Sequence, residues 1–113
     1  MMKLNYLPID KDNIRKQPDY FTIEIAGEIL AFVIRWNEVG QFFSFDLYDE
    51  DGEPILLGKK IVYASDMLSQ VDIDAEMLPV SKQQEAEAER TGITFDNFMQ
   101  DVKPYIFERG NND

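Results

Sequence analysis

The chain contains neither cysteine nor histidine. Disulfides, thiolate metal sites, cysteine nucleophiles and histidine general bases are therefore excluded, leaving carboxylates, Lys, Ser, Thr and Tyr for any chemistry. Cations are scarce as well: 11 Lys and Arg stand against 22 Asp and Glu, a formal charge of −11. Holding nucleic acid by its phosphates needs clustered cations, so this balance argues against it, and solubility is its plain consequence. No stretch approaches the twenty or so apolar residues of a membrane span. The opening Met1-Met2-Lys3-Leu4 reaches Pro8, Asp10 and Asp12 without the apolar run of a signal peptide, so neither secretion by that route nor membrane insertion is expected. The 113 residues suit one domain, 1–113, which buries roughly two thirds of the surface its unfolded form exposes.

What is present is alternation. From Tyr20 to Tyr48 three runs alternate apolar and polar residues and are joined by turn formers, the pattern of a three-stranded antiparallel meander. With Gly27-Glu28 as a two-residue hairpin loop, Ile25 faces Leu30, Ile23 faces Phe32 and Phe21 faces Ile34. With Asn37 to Gly40 as a four-residue loop, Ile34 faces Phe43, Phe32 faces Phe45 and Leu30 faces Leu47. Both loops demand the same inner face. A one-residue slip at either would turn a strand's apolar set outward, so the agreement supports the pairing as well as the strands.

Around this meander, residues 3–9 place Leu4 and Tyr6 at alternating positions before Pro8, which suits a strand near a sheet edge. Residues 10–19 are polar and close on Pro18-Asp19, so a loop is expected. Asp49 to Pro54 is a turn. Ile55 to Tyr63 reads as a strand interrupted at Gly58-Lys59-Lys60, where Gly suggests a bulge and the lysines discourage edge pairing. From Ala64 the pattern changes. Residues 71–92 form an acidic segment expected to be irregular and mobile, carrying at most one short exposed helix near 82–90, with a Ser81-x-x-Gln84 capping box and a stop at Thr91-Gly92. Ten residues without an apolar stripe gain little packing energy, and isolated helices below about 12–15 residues are marginal. Thr94 to Phe98 is a turn with two aromatics, 102–108 a last strand and Gly110 to Asp113 a loose tail. The expected fold is all-β and mainly antiparallel, a small barrel or sandwich in which the strands near 3–9, 55–63 and 102–108 close on the meander.

No pattern of residues points to catalysis. Aligning Gly52 with the glycine of a calcium loop puts Leu47 at the first ligand position and Gly58 where a bidentate glutamate belongs, so the Asp49–Glu53 cluster fails as a metal motif and reads as a hairpin turn. Asp72, Asp74 and Glu76 lack the glycine and the closing acid. Across the outer face the expected register aligns Glu24, Ala31 and Asp46, leaving two carboxylates about 10 Å apart on an open, water-exposed sheet, a poor site for paired acid and base work. Catalytic, cofactor and metal residues are accordingly expected to be none. The same register sets Arg35 between Tyr20 and Phe42, beside Val33, Ile29 and Tyr48. That patch is either covered by a second layer of the protein itself or forms a partner interface, where Tyr, Phe and Arg are enriched.

Several stretches resemble the small baseplate plug proteins of contractile-tailed phages and prophages. They are Lys3 to Asp10, the Asn37-x-x-Gly40-x-Phe42-Phe43 hairpin, Asp46-Leu47-Tyr48-Asp49-x-Asp51-Gly52-x-Pro54-Ile55, Gly58, Asp66-Met67-Leu68 and Thr94 to Phe98. The acidic, Gln- and Ala-rich stretch from about Val71 to Gly92 replaces a more compact connection. The resemblance implies a non-enzymatic, β-rich virion part within the tail baseplate, near the central hub and tube, present in the host cytoplasm during assembly. Its partners would be other tail and baseplate proteins, with no nucleic acid or membrane, and self-association is left open. The alternative is an acidic inhibitor that mimics nucleic acid and blocks a basic enzyme; such a mimic needs carboxylates in a phosphate-like track, whereas these sit mainly in turns and in residues 72–89.

Overall fold

A computed structural model of the protein describes residues 5–83 and 85–109. Four strands, β1 (Asp19–Ile25), β2 (Glu28–Asn37), β3 (Phe42–Tyr48) and β4 (Pro54–Lys60), pair antiparallel in that order. A separate antiparallel pair joins β5 (Ala75–Ser81) to β6 (Val102–Glu108), and a four-residue helix α1 (Ala88–Thr91) lies between them in sequence.

The meander's inner face is the expected one, but each hairpin pairs two residues away from the expected register. The first loop is Ala26-Gly27, with Ile25 opposite Glu28, Ile23 opposite Leu30 and Phe21 opposite Phe32. Both loop residues have positive φ, 52° and 82°, the geometry of the tight turn that matches strand twist, with glycine second rather than first. The second loop is Glu38 to Gln41, because Asn37 stays in the strand and accepts two loop amides, Gln41 N–H at its carbonyl (2.7 Å) and Gly40 N–H at Oδ1 (2.8 Å). A Cβ on Gly40 would stand 2.4 Å from the Phe42 ring, so the turn needs glycine there. A shift of two preserves parity, which is why the core survives it. Leu30, Phe32, Ile34, Phe43, Phe45 and Leu47 are all at most 1% exposed.

The sheets do not close into a barrel. Loops fill the space that closing strands would occupy: Leu7, Ile14, Met67, Leu68 and Phe98 enter the same core as the strands. Of the expected first strand, residues 3 and 4 lie outside the described residues, and the rest makes a single bridge, Tyr6 to Tyr105, flanked by bonds from Leu7 N–H to the Pro104 carbonyl and from Ile106 N–H to the Asn5 carbonyl. The expected tail, 110–113, also lies outside them.

The irregular structure expected from residue 71 gives way to β5. Ala75, Met77 and Pro79 alternate inward, and the strand is paired with β6 along its whole length. The one proline of β5 sits opposite the one of β6, Pro79 against Pro104. Their carbonyls point away from the ladder, to Ala64 N–H and Leu7 N–H respectively, so neither missing amide costs a ladder bond. The expected helix near 82–90 is reduced to α1. Ser81 ends β5 instead of capping a helix, donating its hydroxyl to Asp101 at 2.6 Å and accepting Gln83 N–H at 3.1 Å, while Gln84 lies outside the described residues.

Phe45 contacts Phe32 with ring centroids 5.9 Å apart and is fully buried. Phe45→Ala should lower unfolding free energy by about 3–5 kcal/mol, read from urea denaturation. A loss below about 1 kcal/mol would contradict a packed site.

Amide exchange should split the acidic segment in two. The Ala75–Ser81 amides that bond to β6 should be as protected as those of β6, whereas Glu85 to Thr91, held mainly by local bonds such as Arg90 N–H to the Glu87 carbonyl, should exchange early. Removing 72–92 should therefore unfold the β6 side of the protein. A deletion variant melting like the intact chain would overturn this.

Candidate docking surface

With its inner face filled, the four-stranded sheet has an outer face to account for. Pairing across it runs Tyr20 to Val33 to Asp46 and Thr22 to Ala31 to Tyr48, with Glu24 opposite Ile29. Glu24 and Asp46 therefore do not share a row, which removes the expected carboxylate alignment. Tyr20, Val33 and Tyr48 come together around a shallow groove of about 330 Å³, with Thr22, Ile29 and Ala31 in its floor and walls and Asp49 and Glu50 on its rim. Tyr20 is 59% and Ile29 46% exposed, and on β4 Leu57 adds a further apolar side chain, 64% exposed.

Arg35 and Phe42 stand apart from this groove. The two-residue shift puts Ser44 opposite Arg35 and Asn37 opposite Phe42. The Arg35 guanidinium pairs with the Asp46 carboxylate, and Phe42 lies at the hairpin end beneath the Lys60 ammonium, 5.0 Å from its ring centre. Asp46 itself was not legible as a special residue. Among the described residues it is the buried charged side chain, 6% exposed, and it lies on the outer side of β3. Its other oxygen accepts Gly58 N–H at 2.7 Å. Between Phe45–Lys59 and Leu47–Leu56, β4 spends one residue more than β3, and Gly58 takes a positive φ of 65° in that bulge. The carboxylate thus satisfies an amide that the irregular ladder leaves over, while Arg35 balances its charge.

The acidic turn behaves as a turn. Asp49 Oδ1 accepts the amides of Asp51 and Glu53, both at 2.9 Å, so the carboxylate is engaged by its own loop. Among the described residues no group of three or more Asp or Glu is arranged to hold a metal ion.

A second concavity, about 440 Å³, is lined by Lys11, Asp12, Asn13, Arg15, Lys16 and Phe95. Arg15 lies 4.1 Å and Lys11 4.9 Å from the Phe95 ring centre, and the Lys11 ammonium donates to the Phe95 carbonyl. Burial lowers the Lys11 pKa, opposed by the nearby Asp96. These contacts staple the 10–17 loop to the 94–98 turn, whose own ends are locked by reciprocal bonds between Thr94 and Asn97. Lys11 and Arg15 are thus engaged with Phe95, and Arg15 also pairs with Glu38 at 3.6 Å.

The described surface therefore offers an apolar groove with Asp49 and Glu50 among its lining residues, on the outer face of the sheet. A comparison with curated proteins returned no match. The family model described as cyanophage baseplate Pam3 plug gp18 matches residues 4–109, a span that takes in both sheets and the turns between them. This chain belongs to that baseplate plug family.

Proposed function

We propose that the protein is a structural, non-enzymatic component of a phage tail baseplate, seated near the central hub and tube, and that the outer face of its four-stranded sheet docks onto a neighbouring baseplate protein. The observation that carries this reading is the pairing of family membership with an apolar groove whose tyrosines, Tyr20 and Tyr48, lie on a sheet already filled on its other side. Aromatic side chains on a rigid sheet lose little conformational freedom on docking and supply large contact area. Asp49 and Glu50 at the rim, on a chain of charge −11, favour a partner surface bearing cations. In this reading the finished protein resides in the virion tail and passes through the host cytoplasm as tails are built.

Tyr20→Asp places an unpaired charge in the centre of the proposed contact, where desolvation without a counter-ion costs several kcal/mol of binding. The isolated protein should change by no more than about 0.5 kcal/mol, a melting shift of roughly 2–4 °C, because Tyr20 is mostly exposed. The variant is expected to be folded yet missing from purified tails. Phe42→Asp, at the hairpin end outside the groove, should be incorporated better than Tyr20→Asp. Normal recovery of Tyr20→Asp in tails would move the interface elsewhere.

A further inference from the structure

Sheet edges are where unpaired backbone groups meet other chains; of the four edges here two are covered by backbone bonds and a third is made irregular. On the outside of β5, Pro79 and Met77 carbonyls accept Ala64 N–H (2.9 Å) and Met67 N–H (2.8 Å). On the outside of β6, Leu7 N–H reaches the Pro104 carbonyl and Ile106 N–H reaches the Asn5 carbonyl. The β4 edge is bent by its bulge at Gly58 and carries Lys59 and Lys60. The β1 edge has none of these devices: its pairing with β2 is unbroken from Asp19 to Ile25, and it contains no proline, glycine or lysine.

The two-residue loop fixes which backbone groups that edge presents. Ile25 and Glu28 close the hairpin, so they form a hydrogen-bonded pair, and the alternation of an antiparallel ladder turns the N–H and C=O of Glu24, Thr22 and Tyr20 away from β2. The same alternation carried across β2 and β3 turns the Phe43 carbonyl toward β4, where it accepts Ile61 N–H at 2.9 Å. Among the described residues nothing bonds to the outward groups of Tyr20, Thr22 or Glu24. Their side chains lie on the groove face, with all three exposed.

We infer that β1 is a strand-acceptor edge, which an extended segment of another protein joins as a fifth strand, its side chains on one face running into the Tyr20 groove and carrying lysine or arginine against Glu24 and the acidic rim. Backbone bonds would supply affinity and alternate side chains selectivity. A second copy of this chain is disfavoured as occupant, since each copy brings a charge of −11. The mode of contact rests on the docking reading above only for where the donor strand comes from, and its test needs no tails.

The probe is a capped hexapeptide alternating valine and lysine, titrated into the full chain and followed by amide chemical shifts and exchange. Shifts and slowed exchange should appear at Tyr20, Thr22 and Glu24, and a valine–glutamate peptide should not produce them. Thr22→Pro removes an outward amide without touching the β1–β2 ladder and should weaken the cationic peptide about tenfold, whereas Thr22→Val should not. Glu24→Lys, which leaves the backbone alone and serves if the proline variant fails to fold, should weaken it about two- to fivefold. No shifts at the highest soluble peptide concentration, or shifts centred on β4 or the Lys11 loop, would overturn the inference. So would concentration-dependent protection of β1 without peptide, which would make a second copy the occupant.

Discussion

The structure depends on one packed interface between aromatic rings, laid down by the parity of the meander. Phe21 stacks on Phe32, Phe32 meets Phe45 at a tilt, and Trp36 meets Phe43, which in turn contacts Phe98 at 4.6 Å between centroids. Each ring projects from the same side of β1, β2 or β3 or from the turn before β6. Burying such side chains contributes roughly 1.5–3 kcal/mol apiece before entropy is counted. With no disulfide available and a charge of −11 pressing outward, this burial is the term that holds the two sheets and their loops in one body.

The outer face follows from that commitment. Once Phe45 and Leu47 are both fully buried, Asp46 must project outward between them, into the point where β4 bulges. A bare carboxylate there would be costly. The Gly58 amide and the Arg35 guanidinium satisfy it, so Arg35, although its side chain stays 48% exposed, is already paired. The cation that a reading of the strands offers for binding is therefore already the counter-ion of Asp46. Around the groove the side chains are mainly apolar with Asp49 and Glu50 among them, while Arg35 and Lys60 lie exposed toward the Phe42 end of the face.

Much of this was legible because side-chain period is insensitive to even shifts. Two hairpin loops misplaced by one residue each, which shifts each pairing by two, still return Phe32, Ile34 and Phe45 to the core, but they misassign neighbours on the outer face, where row membership matters more than side. That is why Tyr20, Val33 and Tyr48 line one groove while Arg35 and Phe42 lie outside it. The bounds of β6 could be read from 102–108. Its partner β5 could not, since Ala75, Met77 and Pro79 alternate correctly but are small, flexible or nominally strand-breaking, and only the pairing of Pro79 with Pro104 makes the proline harmless. The Asp46 clamp has no sequence signature, because it is a consequence of the bulge rather than of a motif.

The protein fills one face of its larger sheet, covers the β5 and β6 edges, bends the β4 edge and leaves β1 regular. Natural sheets commonly blunt every exposed edge with prolines, lysines or bulges because an open one invites pairing. Here those devices occur on β4, β5 and β6 and are missing from β1, although the chain evidently has them to use. The open edge borders the apolar groove, so backbone donors, aromatic area and acidic rim are contiguous around Tyr20 and Thr22. That contiguity is what the proposed docking of a cationic strand requires: the backbone groups that would bind it and the side chains that would select it lie on the same strand, at Tyr20 and Thr22.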